Sequence, residues 1–220
     1  MTSHTPAPLL DILSGARIGS YALPNEPFGK SFQRYQWNVR LSEAMLPSLH
    51  YLEVGLRNRI DTLIRKYYGQ DWMLNPPAVL QLSPQDVQKL SDTAAQFRKE
   101  QPVTRILTND DMVSRMSFGF WTAFFHKRYD PLLWHKKNAL AATFPNMPRT
   151  QRTRHAINQI LYRIKKLRNR IAHHEPIWNN RVPIADIHAD CRTLIGAISA
   201  DTLAALDAID RLPEVWGEKV

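Results

Sequence analysis

Four side chains near position 170 carry reactive chemistry within a few residues of one another: Arg168, Asn169, His173 and His174. Imidazole moves protons near neutral pH, a guanidinium offers paired donors to an anion, and a carboxamide both donates and accepts. All four fall in or just after a segment expected to be helical over about residues 150–174, opened by Thr150 and ended by Pro176, where continuation becomes costly. At about 100° per residue, Ile157, Ile160, Leu161, Ile164, Leu167 and Ile171 share the apolar stripe of a helix packed into a bundle. Arg168 points into that stripe, between Ile164 and Leu161, and a cation there needs a partner or a cavity. Asn169 and His173, four apart, share an adjacent face, and His174 lies on the other flank. Spacing alone fits two arrangements equally well. One is a reactive site; the other is a buried arginine paired with an acid such as Glu53, beside a histidine that interacts with the helix dipole.

The charge distribution suggests what such a site would meet. The chain of 220 residues has a formal net charge of +9, and between His126 and His174 twelve Lys and Arg residues stand against Asp130 alone. Positive charge focused in one region suits a polyanion, because each neutralised phosphate releases counterions. A nucleic acid is therefore a candidate partner, with Lys127, Arg128, Lys136, Lys137, Lys165, Lys166 and Arg170 as its expected contacts. A solubilising face is the competing explanation. The longest strongly apolar run, Phe118 to Phe125, is too short to cross a bilayer. The first sixteen residues hold no Lys or Arg, so no secretory start is expected and the protein is placed in the cytoplasm, away from membranes. A single cysteine, Cys191, supports neither a disulfide nor a zinc ribbon, and its expected role is that of a small buried residue.

Helical signals recur along the chain and strand alternation does not, so the fold class is all-α. Residues 1–30, with Pro6, Pro8, Pro24 and Pro27, read as a loosely attached arm, and 31–220 as one helical domain. Phe32 to Tyr67 should form two helices or one kinked at Pro47. Ser83-Pro84 with Asp86 opens a helix to about Lys99, which Pro102 closes. Asp110 is the expected cap of a helix through Ser117 to Lys127, whose aromatic residues belong in the core. Two acidic helices follow within about 183–211, from Pro183 to Ser199 and from Asp201 to Arg211. Leu56 to Asp61 echoes Leu167 to Ala172, but Thr62 and Leu63 stand where the second copy continues into His173 and His174. The first copy therefore cannot do the same chemistry.

Several motifs fail on inspection. Gly29-Lys30-Ser31 ends like a phosphate loop, but Pro24 stands where the first glycine is needed. His174-Glu175 begins a zinc-protease pattern that Trp178 does not complete. Asp186, His188 and Asp190 fit a polar helix face better than a cation site. No metal and no cofactor are expected.

Arg168-Asn169-Arg170-Ile171-Ala172-His173 resembles the RNxxxH form of the HEPN ribonuclease motif. Together with Tyr51 to Asn58, Ser117 to Trp121, and His173-His174-Glu175-Pro176, it resembles the Abi-like family of bacterial phage-defence proteins. The resemblance implies a HEPN-like helical bundle that homodimerises, with two motifs facing each other across a cleft. It implies a metal-independent endoribonuclease in which a 2′-OH attacks its own phosphate, acting in abortive infection or as a toxin whose antitoxin the sequence does not name. Arg168 would hold the phosphate, Asn169 would orient it or the imidazole, and His173 would transfer protons, with His174 as second candidate. Glu53, Arg57 and Asn58 would support them. The alternative is a non-catalytic member of the same fold that binds a noncoding RNA.

Overall fold

The computed structural model describes residues 7–179 and 181–220; the first six residues of the arm lie outside them. Every regular element among the described residues is helical: α1 (Ala7–Leu13), α2 (Gly15–Gly19), α3 (Phe28–Tyr68), α4 (Pro84–Glu100), α5 (Asn109–Arg115), α6 (Phe118–Ala123), α7 (Ala139–Thr143), α8 (Arg154–Ala172), α9 (Ile184–Ile198), α10 (Ala200–Asp207) and α11 (Leu212–Gly217). None is long and apolar enough to cross a membrane.

The 41 residues of α3 form a spine of roughly 60 Å. Trp37, Leu41, Met45, Leu52, Leu56, Ile60 and Ile64 repeat at helical spacing and are all fully buried. α9 lies along this spine and also against α8, while α6 bridges α3 and α8. The helix runs unbroken through Pro47 although the ring removes one backbone donor. Buried neighbours on both sides, Ala44, Met45, Ser48 and Leu49, hold it together by packing. Near the C-terminal end of α3, Trp72, Phe120, Trp121 and Phe124 pack mostly edge to face, so the aromatic block belongs to the core.

The helix boundaries depart from the sequence expectations in four places. Thr108, not Asp110, caps α5, because Thr108 and Asp111 form a reciprocal capping box. The single helix expected from Asp110 through Ser117 to Lys127 is broken after Arg115, and its second part is the short α6, capped by Ser117 and ended before a 3-10 turn over Lys127–Tyr129 and a wider π turn over Asp130–Trp134. α8 starts three residues late: Thr150 lies in a turn set up by Pro148, and the Thr153 hydroxyl accepts from the Ala156 amide at 3.2 Å. The last acidic helix, expected to reach Arg211, ends at Asp207 as the Ser199-capped α10, and a further helix not among those expected, α11, follows Arg211. By contrast, Ser83 caps α4 as its Ser-Pro start implied.

The described part of the arm is mostly exposed but is pinned at a few points. Ile18 and Tyr21 are fully buried, and the buried Arg34 guanidinium donates to the Tyr21 carbonyl at 2.5 Å and to both Glu26 carboxylate oxygens at 2.9 and 2.7 Å. Composition did not disclose this, because the partners come from α3.

At the other end of the spine, the buried Asp61 carboxylate accepts from Trp72 Nε1 at 2.8 Å, Asn109 Nδ2 at 3.2 Å and Arg65 Nε at 2.7 Å. This carboxylate joins α3, the segment after it and α5. Replacing Asp61 by Ala strands three donors at once and should lower the unfolding free energy by about 3 kcal/mol in a denaturant titration. A loss under about 1 kcal/mol would mean the donors find other acceptors.

Candidate active site at the end of α8

α8 is anchored at three levels. At its start the Arg154 guanidinium meets the Asp130 carboxylate at 3.0 Å and the Phe125 carbonyl at 3.2 Å. Midway, Arg163 pairs with Asp190 of α9 at 2.7 Å. Along the whole helix, Ile157, Leu161, Ile164, Leu167 and Ile171 form the buried stripe, which fixes the rotation of the helix and hence the directions of its other side chains.

The third anchor is the C-terminus. His173 is the cap residue, and its amide donates to the Asn169 carbonyl at 2.9 Å. The His174 amide donates to the Ile171 carbonyl at 3.0 Å, and the Glu175 amide to the Arg170 carbonyl at 2.8 Å. This pair of bonds is a Schellman turn, whose geometry places His174 in the left-handed region at φ 56°. Glycine usually fills that position, and a histidine there carries strain. The strain is contained from three sides. Asn38 Oδ1 accepts from the Ile177 and Trp178 amides at 2.6 and 3.1 Å. Arg170 donates to the Pro176 carbonyl, and Arg17 of α2 donates to the His174 carbonyl.

This frame brings Arg168, Asn169, His173 and His174 together at one helix end. Asn169 and His173 are exposed one turn apart, and Arg168 is half-buried at the edge of the stripe. Arg168 forms no hydrogen bond or ion pair with any described residue, and neither does Glu53, so the paired-arginine alternative finds no partner here. The other supporting candidates lie elsewhere. Arg57 donates to the Ser114 carbonyl of α5 at 3.2 Å, and Asn58 is exposed beside it. Asn38, which touches the turn after the motif, is 19 residues or roughly 28 Å up the helix from Arg57. Sequence reasoning missed Arg17 and Asn38. Their only signal is non-local, since each acts through a backbone group more than a hundred residues away.

A family model described as Abi-like protein matches residues 10–179. The chain belongs to the Abi-like protein family. The match opens within α1 and closes just after the turn that follows the motif, so it takes in the arm as well as the helix end that the arm clamps. The family's description points to abortive infection. No curated protein and no solved structure matches significantly.

In this Abi-like chain the basic residues divide by what they touch. Arg154, Arg163 and Arg170 face carboxylates or carbonyls of the fold. Lys127, Arg128, Lys137 and Lys166 are exposed, while Lys136 and Lys165 are half-buried. The Lys136 ammonium stands 5.6 Å over the Tyr67 ring, and Lys166 stands 4.8 Å over Tyr162. Burial, then Lys165 and Arg128, push the His126 imidazole below its usual range, which records positive charge gathered around that position.

The left-handed residue supplies a direct test of the helix-end geometry. His174→Gly should relieve the strain and raise the unfolding free energy by about 0.5–1 kcal/mol, read by chemical denaturation. A destabilised glycine variant would mean the imidazole contributes packing that outweighs the backbone conformation.

Proposed function

We propose that this Abi-like protein is a metal-independent endoribonuclease of the HEPN type, acting in phage defence, with Arg168, Asn169 and His173 at its reacting centre. One observation carries the reading: a half-buried guanidinium with no acidic partner among the described residues stands about one and a half turns before an exposed histidine, on a helix end held by contacts from three sides. A cation kept from neutralisation is ready for an anion, and a phosphodiester brings one.

In the reaction, an imidazole of His173 takes the proton of a ribose 2′-OH, and the oxygen forms a bond to the adjacent phosphorus. The bond from phosphorus to the 5′-oxygen breaks, and that oxygen receives a proton from a protonated imidazole. The products are a 2′,3′-cyclic phosphate and a free 5′-hydroxyl. Arg168 stabilises the charge that builds on the non-bridging oxygens, and Asn169, one turn from His173, orients the phosphate or the ring. Each chain carries one such motif, so a homodimer supplies the second imidazole most simply. Exposed lysines flanking α8 support RNA as the substrate.

With total RNA in EDTA, Arg168→Ala and His173→Ala should each slow cleavage by at least about a hundredfold while circular dichroism stays unchanged. His174→Ala should lose less. Wild-type cleavage by both folded variants would overturn the assignment; RNA binding without cleavage by any preparation would favour a non-catalytic RNA-binding protein.

Replacing Lys136, Lys137, Lys165 and Lys166 by Gln tests the binding surface separately. The slope of log affinity against log salt for single-stranded RNA should fall by about 0.7 for each lysine that meets a phosphate. An unchanged slope would place the binding surface elsewhere.

A further inference from the structure

A cleft of about 510 Å³ opens beside the end of α8, between that helix, the arm and the first half of α3. That size lies within the range of ligand pockets. Its polar lining is Arg17, Tyr21, Tyr35, Asn38, Ser42 and His174, with no carboxylate among them. Arg170 also lies close enough to act on the Tyr21 phenol. Tyr21 is fully buried, yet its hydroxyl has no hydrogen-bond partner among the described residues. A buried hydroxyl without a partner costs roughly 1–3 kcal/mol. Phenylalanine would pack the same ring without that cost, so the hydroxyl calls for an explanation outside the free fold. Burial also pushes its pKa up, so it remains a neutral donor. Donors and cations without an acid describe a receptor for an anion.

We propose that this cleft is a phosphate subsite for the nucleotide next to the cut bond, in which Arg17, Tyr21 and His174 hold the phosphate of a single RNA strand. The inference rests on the reading of the α8 terminus as an RNA-cleaving site. His173 and His174 are consecutive, with Cα atoms about 3.8 Å apart, and the left-handed turn separates their directions: His174 lines the cleft while His173 stays outside its lining. One strand can therefore pass from one imidazole to the other. In the free protein the Arg17 guanidinium donates to the His174 carbonyl. On binding it exchanges that neutral acceptor for an anionic one, a stronger bond, and the Tyr21 hydroxyl gains the acceptor it lacks. The double histidine then has a division of labour, with His173 at the reacting phosphate and His174 at its neighbour.

The test uses the full chain and a short single-stranded RNA with 2′-O-methyl sugars, which binds but cannot undergo 2′-OH attack. Tyr21→Phe should leave the free protein as thermally stable as wild type or more so, and should weaken RNA binding about tenfold, the loss of one hydrogen bond to a charged group. Arg17→Gln keeps a donor for the His174 carbonyl but removes the charge. It should weaken binding and lower the salt slope by about 0.7. Wild-type RNA affinity in both variants would overturn the proposal, as would a Tyr21→Phe protein that is less stable when free, because the hydroxyl would then serve the fold. If inorganic phosphate protects the wild type against heat in a Tyr21-dependent way and the RNA does not, the cleft takes a free anion and the RNA subsite is wrong. Cleavage of unmodified RNA is followed in parallel, and since the binding comparison does not depend on turnover, a protein that cuts nothing still decides the cleft either way.

Discussion

The Asn38 side-chain carbonyl, buried in the first half of α3, accepts the backbone amides of Ile177 and Trp178 at 2.6 and 3.1 Å. Those two amides belong to the strap that leaves α8, where Ile177 is fully buried and Trp178 packs under the Arg34 guanidinium at 5.0 Å. Without the carboxamide, two donors would be sealed from water, at about 1–3 kcal/mol each. The contact spans 139 residues of sequence and joins the longest helix to the helix carrying the candidate site. Everything local at that end follows from where it holds the strap. The Schellman turn closes, His174 is driven into the left-handed region, and Asn169 and His173 are left facing solvent one turn apart.

The two ends of α3 do different work. Its first half secures the motif through Asn38 and, through Arg34, secures the arm that supplies Arg17. Its second half organises the aromatic core and the Asp61 network. The echo of the motif within α3 belongs to this second role. Arg57 reaches the Ser114 carbonyl, Arg59 reaches the Ile198 carbonyl at 3.2 Å, and Asp61 gathers three donors. The same run of residue types thus ties helices together in one copy and stands at an exposed helix end in the other. What separates the copies is their surroundings. The first sits mid-helix between packed neighbours, whereas the second is followed by a turn that exposes it.

Local features were legible in the sequence where the cause was local. The all-α class, the Ser83 cap and the buried stripe of α8 each depend on residues within a turn or two of one another. The choice between Thr150 and Thr153 was less legible. Both can cap, and Pro148, by folding residues 148–152 into a turn, decided for the later one. Which of the two arrangements Arg168 adopts could not be read at all, because whether Glu53 meets it depends on how α3 and α8 are rotated against α9. The points that pin the arm were not legible either. Four prolines describe a poor helix former, but attachment depends on burial, and Ile18, Tyr21 and the Arg34 carbonyl and carboxylate contacts provide it.

Local costs concentrate where the chemistry is proposed. Among the described residues, the strained His174, the half-buried Arg168 without an acid, and the Tyr21 hydroxyl without a partner all lie around the end of α8, as do the unsatisfied Trp178 Nε1 and Arg34 Nε. Ser48 Oγ, Arg57 Nε and Trp121 Nε1, also buried without partners among the described residues, are single cases in separate parts of the bundle. A fold under selection for stability alone would have glycine at position 174, phenylalanine at 21 and an acid near 168, each an available substitution worth a fraction of a kcal/mol to a few kcal/mol. Strain and unsatisfied polarity persist only where the surroundings over-determine them, and here the surroundings do so through Asn38, Arg170 and Arg17 together. An RNA strand lying across that surface would bring phosphates to Arg168 and Tyr21, so the groups that weaken the free protein are those with most to gain from the bound anion.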